Sequence, residues 1–137
     1  MSSVLKISDA ASLALHSMVI LAESPNVLVT AKKAARDLLV SEAHLSKVMQ
    51  RLVKSGLVNS VRGPGGGFKL AKPANKITLL DVYETIDGPL DEDNCLLHLK
   101  VCERNVCIMG NEIAEVNSKI KKYLADTNLE VLCENEK

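Results

Sequence analysis

Aromatic residues are scarce in this chain of 137 residues: it has no tryptophan, and Phe68, Tyr83 and Tyr123 supply all of its rings. A core built with so few rings has to be aliphatic, as in a helical bundle rich in Leu, Val and Ala. At 47% hydrophobic and 25% charged residues the composition is that of an ordinary folded chain. No stretch approaches the roughly 20 uninterrupted apolar residues of a membrane-spanning helix. The opening MSSVLKISDAASLALHSMVILAES superficially resembles a secretion signal, but Lys6, Asp9, His16 and Ser17 interrupt its apolar run, and no clear small-residue cleavage site follows. It reads instead as the first amphipathic helix of a cytoplasmic protein, in a compartment where structural disulfides are not expected. Catalysis is not expected either. His16, His44 and His98 are scattered, and no nucleophile and base are paired.

Net charge is also missing, but the zero is a sum of unequal halves. Residues 1–72 hold ten Lys and Arg against four Asp and Glu, and residues 73–137 hold seven against thirteen, giving +6 and −6. Such asymmetry suggests that the basic half meets a polyanion. Charges that merely cover solvated faces would account for it equally well.

What is present is mostly helix. Ile7, Ala10, Ala11, Ala14, Leu15, Met18, Val19 and Ala22 recur at three- and four-residue steps, and SPN at Ser24–Asn26 ends that pattern. Thr30 can cap a short helix, AKKAARDLL, and Ser41 a second, EAHLSKVMQRLVKSG, stopped by Gly56. Only VS separates the two, and each has an apolar stripe to bury, so they should cross as a helix-turn-helix. In the second, Leu45, Val48, Met49, Leu52 and Val53 form the stripe. Lys47, Gln50, Arg51 and Lys54 project on the other side, and Ser41, Glu42, Ala43 and His44 lead. A helix presented in this way fits a DNA major groove.

Two short strands should follow, in LVNSV and FKLA, around the glycines of VRGPGGGFKLAKP; Gly65–Gly67 are expected to supply the positive φ angles of a tight tip. Neither phosphate-loop motif fits. A Walker loop needs Gly-Lys-Ser/Thr, whereas Gly67 precedes Phe68, Lys69 and Leu70; a dinucleotide motif would put glycine where Phe68 stands and would open a helix. The remaining reading is a wing with Arg62 at its base, able to follow a phosphate backbone or enter a narrow minor groove.

The run HLSKVMQRLVKSGLVNSVRGPGGGFKLAKPANKITLLDVYETIDGPL resembles the winged-helix regulators of the bacterial "Rrf-two" family, which includes IscR, NsrR and CymR, and the resemblance extends over about residues 4–126. It implies a mainly α fold with a small β-hairpin wing: a winged helix-turn-helix plus a long C-terminal dimerisation helix. It also implies a homodimer on palindromic double-stranded DNA. By position, the DNA contacts are Ser41, His44, Lys47, Arg51, Arg62 and the tip glycines Gly63, Gly65, Gly66 and Gly67.

Cys95, Cys102 and Cys107 are separated by six and four residues, with no close Cys-x-x-Cys pair. Thiolates suit an iron-sulfur cluster or zinc; three incidental thiols fit the spacing as well. The family resemblance favours a cluster, 2Fe-2S or 4Fe-4S, on these three positions. Its fourth ligand does not carry over, because Gly110 stands where IscR-like members have histidine and Ser12 where NsrR-like members have aspartate. His98, Asp9, Glu103 and Cys133 are the local substitutes. A reversible disulfide or sulfenic acid near Lys100 and Arg104, mixed-ligand zinc, or no cofactor at all are the alternatives.

After this loop Ile113, Val116, Ile120, Tyr123 and Leu124 make a narrow apolar seam, with Asn111 as a cap. The seam suits pairing with a second copy; packing onto its own domain is the other option. The expected division is a winged helix-turn-helix at 1–87, a sensor loop at 88–110 and a dimerisation helix with tail at 111–137. Cluster gain, loss or modification would then reorient two winged domains. A protein-interaction module or a small redox protein is the reading from a different class.

Overall fold

The computed structural model describes residues 7–90 and 106–134. In chain order these form α1 (Asp9–Glu23), α2 (Ala31–Leu38), α3 (Glu42–Lys54), β1 (Val58–Val61), β2 (Gly67–Leu70), a 3-10 turn (Ala74–Lys76), α4 (Leu79–Asp87), α5 (Glu112–Asp126) and α6 (Leu129–Glu134). The arrangement is the expected one, mainly helical with an antiparallel two-stranded hairpin directly after a helix-turn-helix.

Hydroxyl residues set four of the helix starts. Ser8, Thr30, Ser41 and Thr78 each accept the backbone N–H three residues ahead, from Ala11, Lys33, His44 and Asp81. Each cap satisfies a donor that the helix itself cannot, a gain of about 1 kcal/mol. Thr78 adds a reciprocal bond, its own N–H reaching Asp81 Oδ2 at 3.1 Å. The caps proposed at Thr30 and Ser41 are therefore present, whereas Asn111 makes no capping bond with its side chain.

The core is aliphatic and is organised around α1, which packs against α2, α3, α4, α6 and β2. Ala11, Ala14, Met18 and Leu21 are buried along it, and α3 adds Leu45, Val48, Met49 and Leu52. Alanine at two of these positions lets neighbouring helices approach closely. Ser17 is the anomaly. It is 1% exposed, and its hydroxyl finds no hydrogen-bond partner among the described residues.

The C-terminal helices differ from the expected free seam. Ile113 and Leu124 are buried, Ile120 packs onto the core, and buried Asn117 completes the stripe with them. Val116 and Tyr123 instead point outward, Tyr123 at 57% exposure. The seam is thus divided between two faces because helical steps from 113 through 117, 120 and 124 follow one side, while 116 and 123 follow another. At its end the chain turns back: Leu79 N–H donates to Thr127 O at 2.9 Å and Leu129 N–H to Ile77 O at 3.1 Å. Because α4 starts and α5 ends at this bridge, and the two pack together, they run in opposite directions. Helix α6, absent from the sequence-based expectation, then covers α1.

Removing the Ser17 hydroxyl should help the fold. A buried, unpaired hydroxyl carries an uncompensated desolvation cost, so Ser17→Ala should raise the unfolding free energy by about 1 kcal/mol in urea titrations. A lower stability than wild type would show that the hydroxyl is satisfied in solution.

Candidate nucleic-acid interface

Helix α3 presents its polar side to solvent. Ser41, Glu42, Ala43 and His44 are exposed at its amino-terminal end, followed by Lys47, Gln50, Arg51 and Lys54. Capping fixes the geometry of the leading residues, since Ser41 Oγ accepts His44 N–H at 3.1 Å. Ser41, His44 and Lys47 remain exposed and make no side-chain ion pair among the described residues. Arg51 has an internal engagement. Its guanidinium donates to Ile86 O at 2.5 Å, tying the last turn of α3 to the last turn of α4.

The wing pairs Val58 with Leu70, Asn59 with Lys69, Ser60 with Phe68 and Val61 with Gly67. Residues 62–66 form its tip, closed by Gly66 N–H donating to Gly63 O at 2.9 Å, and Arg62 is exposed at its start. The glycines play different roles from those expected of Gly65–Gly67 as a block. Positive φ is found at Gly63 (93°), Gly65 (77°) and Gly67 (157°), but not at Gly66. Gly66 is needed for space, because a Cβ there would stand 2.1 Å from Val61 O. At Gly67 a Cβ would meet Val29 O at 2.8 Å.

That close approach is a second pairing. Val29 N–H donates to Phe68 O at 2.9 Å and Phe68 N–H to Val29 O at 2.8 Å, so the wing is stitched to the residue just before the Thr30 cap of α2. Phe68 is buried beneath it, against the core. The wing and the helix-turn-helix therefore share one rigid support. Lys32 and Arg36 add exposed cations on α2, whereas Lys33 is paired with Asp37 at 3.0 Å.

One residue of this region was not apparent from the sequence pattern. Leu39, in the turn between α2 and α3, adopts φ 57° and ψ 43° and is 90% exposed. A left-handed conformation costs a residue with a Cβ roughly 1–2 kcal/mol. The available signal was an absence: a helix end followed at once by a new capping serine, with no glycine between them.

The cysteine trio is only partly visible. Cys95 and Cys102, with His98 and Glu103, lie outside the described residues. Cys107 is exposed, and its Sγ accepts Met109 N–H at 3.4 Å. Among the described residues no three Cys, His, Asp or Glu gather as metal ligands. The described substitutes for a fourth ligand are far apart. Asp9 opens α1, whereas Cys133 lines a groove with Ala22 and Glu23 at its other end, so about 21 Å of helix lies between them. The 88–110 segment leaves from the Asp9 end. There Asp87 accepts the Ser8 N–H at 3.1 Å and the Ser8 hydroxyl at 2.5 Å.

Comparison with known proteins agrees with this geometry. The Rrf2 family model, described as an iron-dependent transcriptional regulator, matches residues 7–135. Over 128 residues the chain is 34% identical to a protein of Aquifex aeolicus classed as an HTH-type transcriptional regulator, covering 91% of this chain and 89% of that one. It is 32% identical over 97 residues to IscR of Photorhabdus laumondii, covering 71% of this chain and 59% of that relative. Its fold matches the solved structure of CymR, the global cysteine regulator of Bacillus subtilis, with a TM-score of 0.79, 28% identity and coverage of 96% and 98% of the two chains.

Gly66→Ala tests the tip. With a backbone oxygen 2.1 Å from the new Cβ the turn has to open, so protection of the β1–β2 amides from hydrogen exchange should fall while that of α1 and α3 is kept. Unchanged wing protection would contradict this packing.

Proposed function

The chain belongs to the Rrf2 family of transcriptional regulators, and we propose that it works in the cytoplasm as a homodimer on palindromic duplex DNA, under the control of its cysteine segment. DNA binding follows from the family. The residue assignments are our own reading: Ser41 and His44 face base edges in the major groove, Lys47 meets phosphate, and Arg62 with the Gly63–Gly67 tip lies on the neighbouring backbone or minor groove. The observation that carries this is the Val29–Phe68 bridge, which holds the wing and the outward side of α3 in one unit. Arg51 acts through its bond to Ile86 O, setting the pitch of α3 on α4.

The second copy is placed on the outer face of α5. Val116 and Tyr123 stand seven residues apart on that face. A two-fold axis there would present two copies of α3 about one DNA turn apart.

Cys95, Cys102 and Cys107 are the residues that would hold an iron-sulfur cluster, which supplies an oxygen- and redox-labile centre when bound. The chain's own contribution is mechanical. Residues 86 and 87 precede the cysteine segment directly; Ile86 O holds Arg51 of α3, and Asp87 holds Ser8 at the start of α1. A change of order in the segment therefore acts on α3 through the Arg51 bond and on the start of α1 through the Ser8 bond. The exposure of Cys107 favours a second reading, a cluster-free thiol switch.

Two measurements test these proposals. Affinity for a duplex selected from a randomised pool should fall steeply with salt, Lys47→Ala should lower the log–log slope by about 1, and footprinting should show two half-sites related by a dyad. A salt-independent affinity, or protection of one half-site, would remove the DNA or the dimer assignment respectively. Protein purified without oxygen should carry iron and sulfide that Cys107→Ala loses. Colourless protein after anaerobic reconstitution would leave the thiol switch.

A further inference from the structure

The turn between α2 and α3 carries a leucine that neither folding nor packing explains. Single exposed aliphatic side chains are ordinary on folded proteins. Leu39 differs because its exposure, 90%, coincides with a left-handed backbone at φ 57°. The turn is closed by main-chain bonds alone: Leu39 N–H points to Ala35 O and Arg36 O, and Val40 N–H donates to Ala35 O at 3.0 Å. Glycine would make the same bonds without the clash of a Cβ. Leucine gains no burial in exchange.

Strain that folding does not require is characteristic of positions that contact a ligand. The surroundings indicate which ligand. Arg36 is exposed three residues before Leu39, and Ser41, His44 and Lys47 follow it on the outward side of α3. An exposed apolar side chain at the leading end of that helix, with Arg36 before it and Lys47 after it in the chain, suits a polyanion that also offers apolar surface. Duplex DNA has this in the thymine methyl of the major groove and in the carbons of deoxyribose.

We propose that Leu39 is an apolar DNA contact, held out of the turn to pack against a thymine methyl or a deoxyribose. The inference rests on the placement of α3 in the major groove. Apolar contact needs close approach, so the side chain has to stand clear of its own domain, and the left-handed turn projects it in that way.

Leu39→Gly is the informative variant because it should fold at least as well as wild type. Its circular dichroism should be unchanged and its thermal midpoint equal or higher by up to about 3 °C, since relief of strain is partly offset by the freer unfolded chain. Its affinity for a duplex selected from a randomised pool with wild-type protein should be weaker by about 5- to 20-fold, the size of one buried apolar group. Two further probes locate the contact. If it is a thymine methyl, one thymidine-to-deoxyuridine replacement in the half-site weakens wild type but not the variant, and the loss on unselected random duplex is small. If it is deoxyribose, no replacement has that effect and both duplexes lose affinity equally. Equal binding of variant and wild type to the selected duplex overturns the proposal while leaving α3 in the groove. A wild type with no preference for its selected duplex overturns both.

Discussion

The arrangement of this domain depends on two hydrogen bonds between Val29 and Phe68. They make the wing a continuation of the segment that starts α2, so the hairpin cannot swing independently of the helix-turn-helix. A two-stranded hairpin is marginal by itself in water. Here Phe68 is buried against the core on one side and bridged at its backbone on the other, and Gly67 is the residue that lets the two main chains meet. Loss of that bridge would leave α3 intact and the wing without a fixed direction.

A second set of bonds connects the rest of the chain to the same unit. Arg51 holds Ile86 O and Asp87 holds Ser8, so the end of α4 is anchored to α3 and α1 at the point where the cysteine segment departs. On the far side, the bridge between Thr78 and Asn128 closes the return of the chain after α5. The cysteine segment and α5 are therefore enclosed between two fixed points of the winged domain. A rearrangement inside that span can be transmitted through residues 86 and 87, which is the physical basis of the coupling proposed above.

Much of this was legible from local chemistry. Ser41 and Thr30 were readable as caps because hydroxyl residues satisfy orphan N–H groups, and RGPGGGF was readable as a tip because glycine and proline leave few alternatives. The roles of individual glycines were not readable, because Gly66 and Gly67 are selected by contacts with Val61 and Val29, which sequence spacing does not reveal. Arg51 looked like any other outward cation, since its acceptor is a backbone carbonyl 35 residues away. The seam of α5 was recognisable as apolar, but its division depended on Asn117, a polar residue that joins Ile113, Ile120 and Leu124 on the inner stripe. Helix α6 was missed for a similar reason: its burial is set by α1 and not by its own short pattern.

The charge division acquires a structural meaning once the halves are located. Cations on α2, α3 and the wing belong to the first half, whereas exposed Asp81 and Asp87 of α4 and Glu112 and Glu115 of α5 belong to the second. Phosphate attracts the cations of the first half and repels the carboxylates of the second, and at physiological ionic strength this acts over about 8 Å. A neutral chain therefore approaches DNA with a preferred orientation, which lowers the search for the correct encounter without adding to the attraction for DNA in general. With weak overall attraction, discrimination on this reading falls to close contacts at the leading end of α3, the place proposed for Ser41, His44 and the strained Leu39.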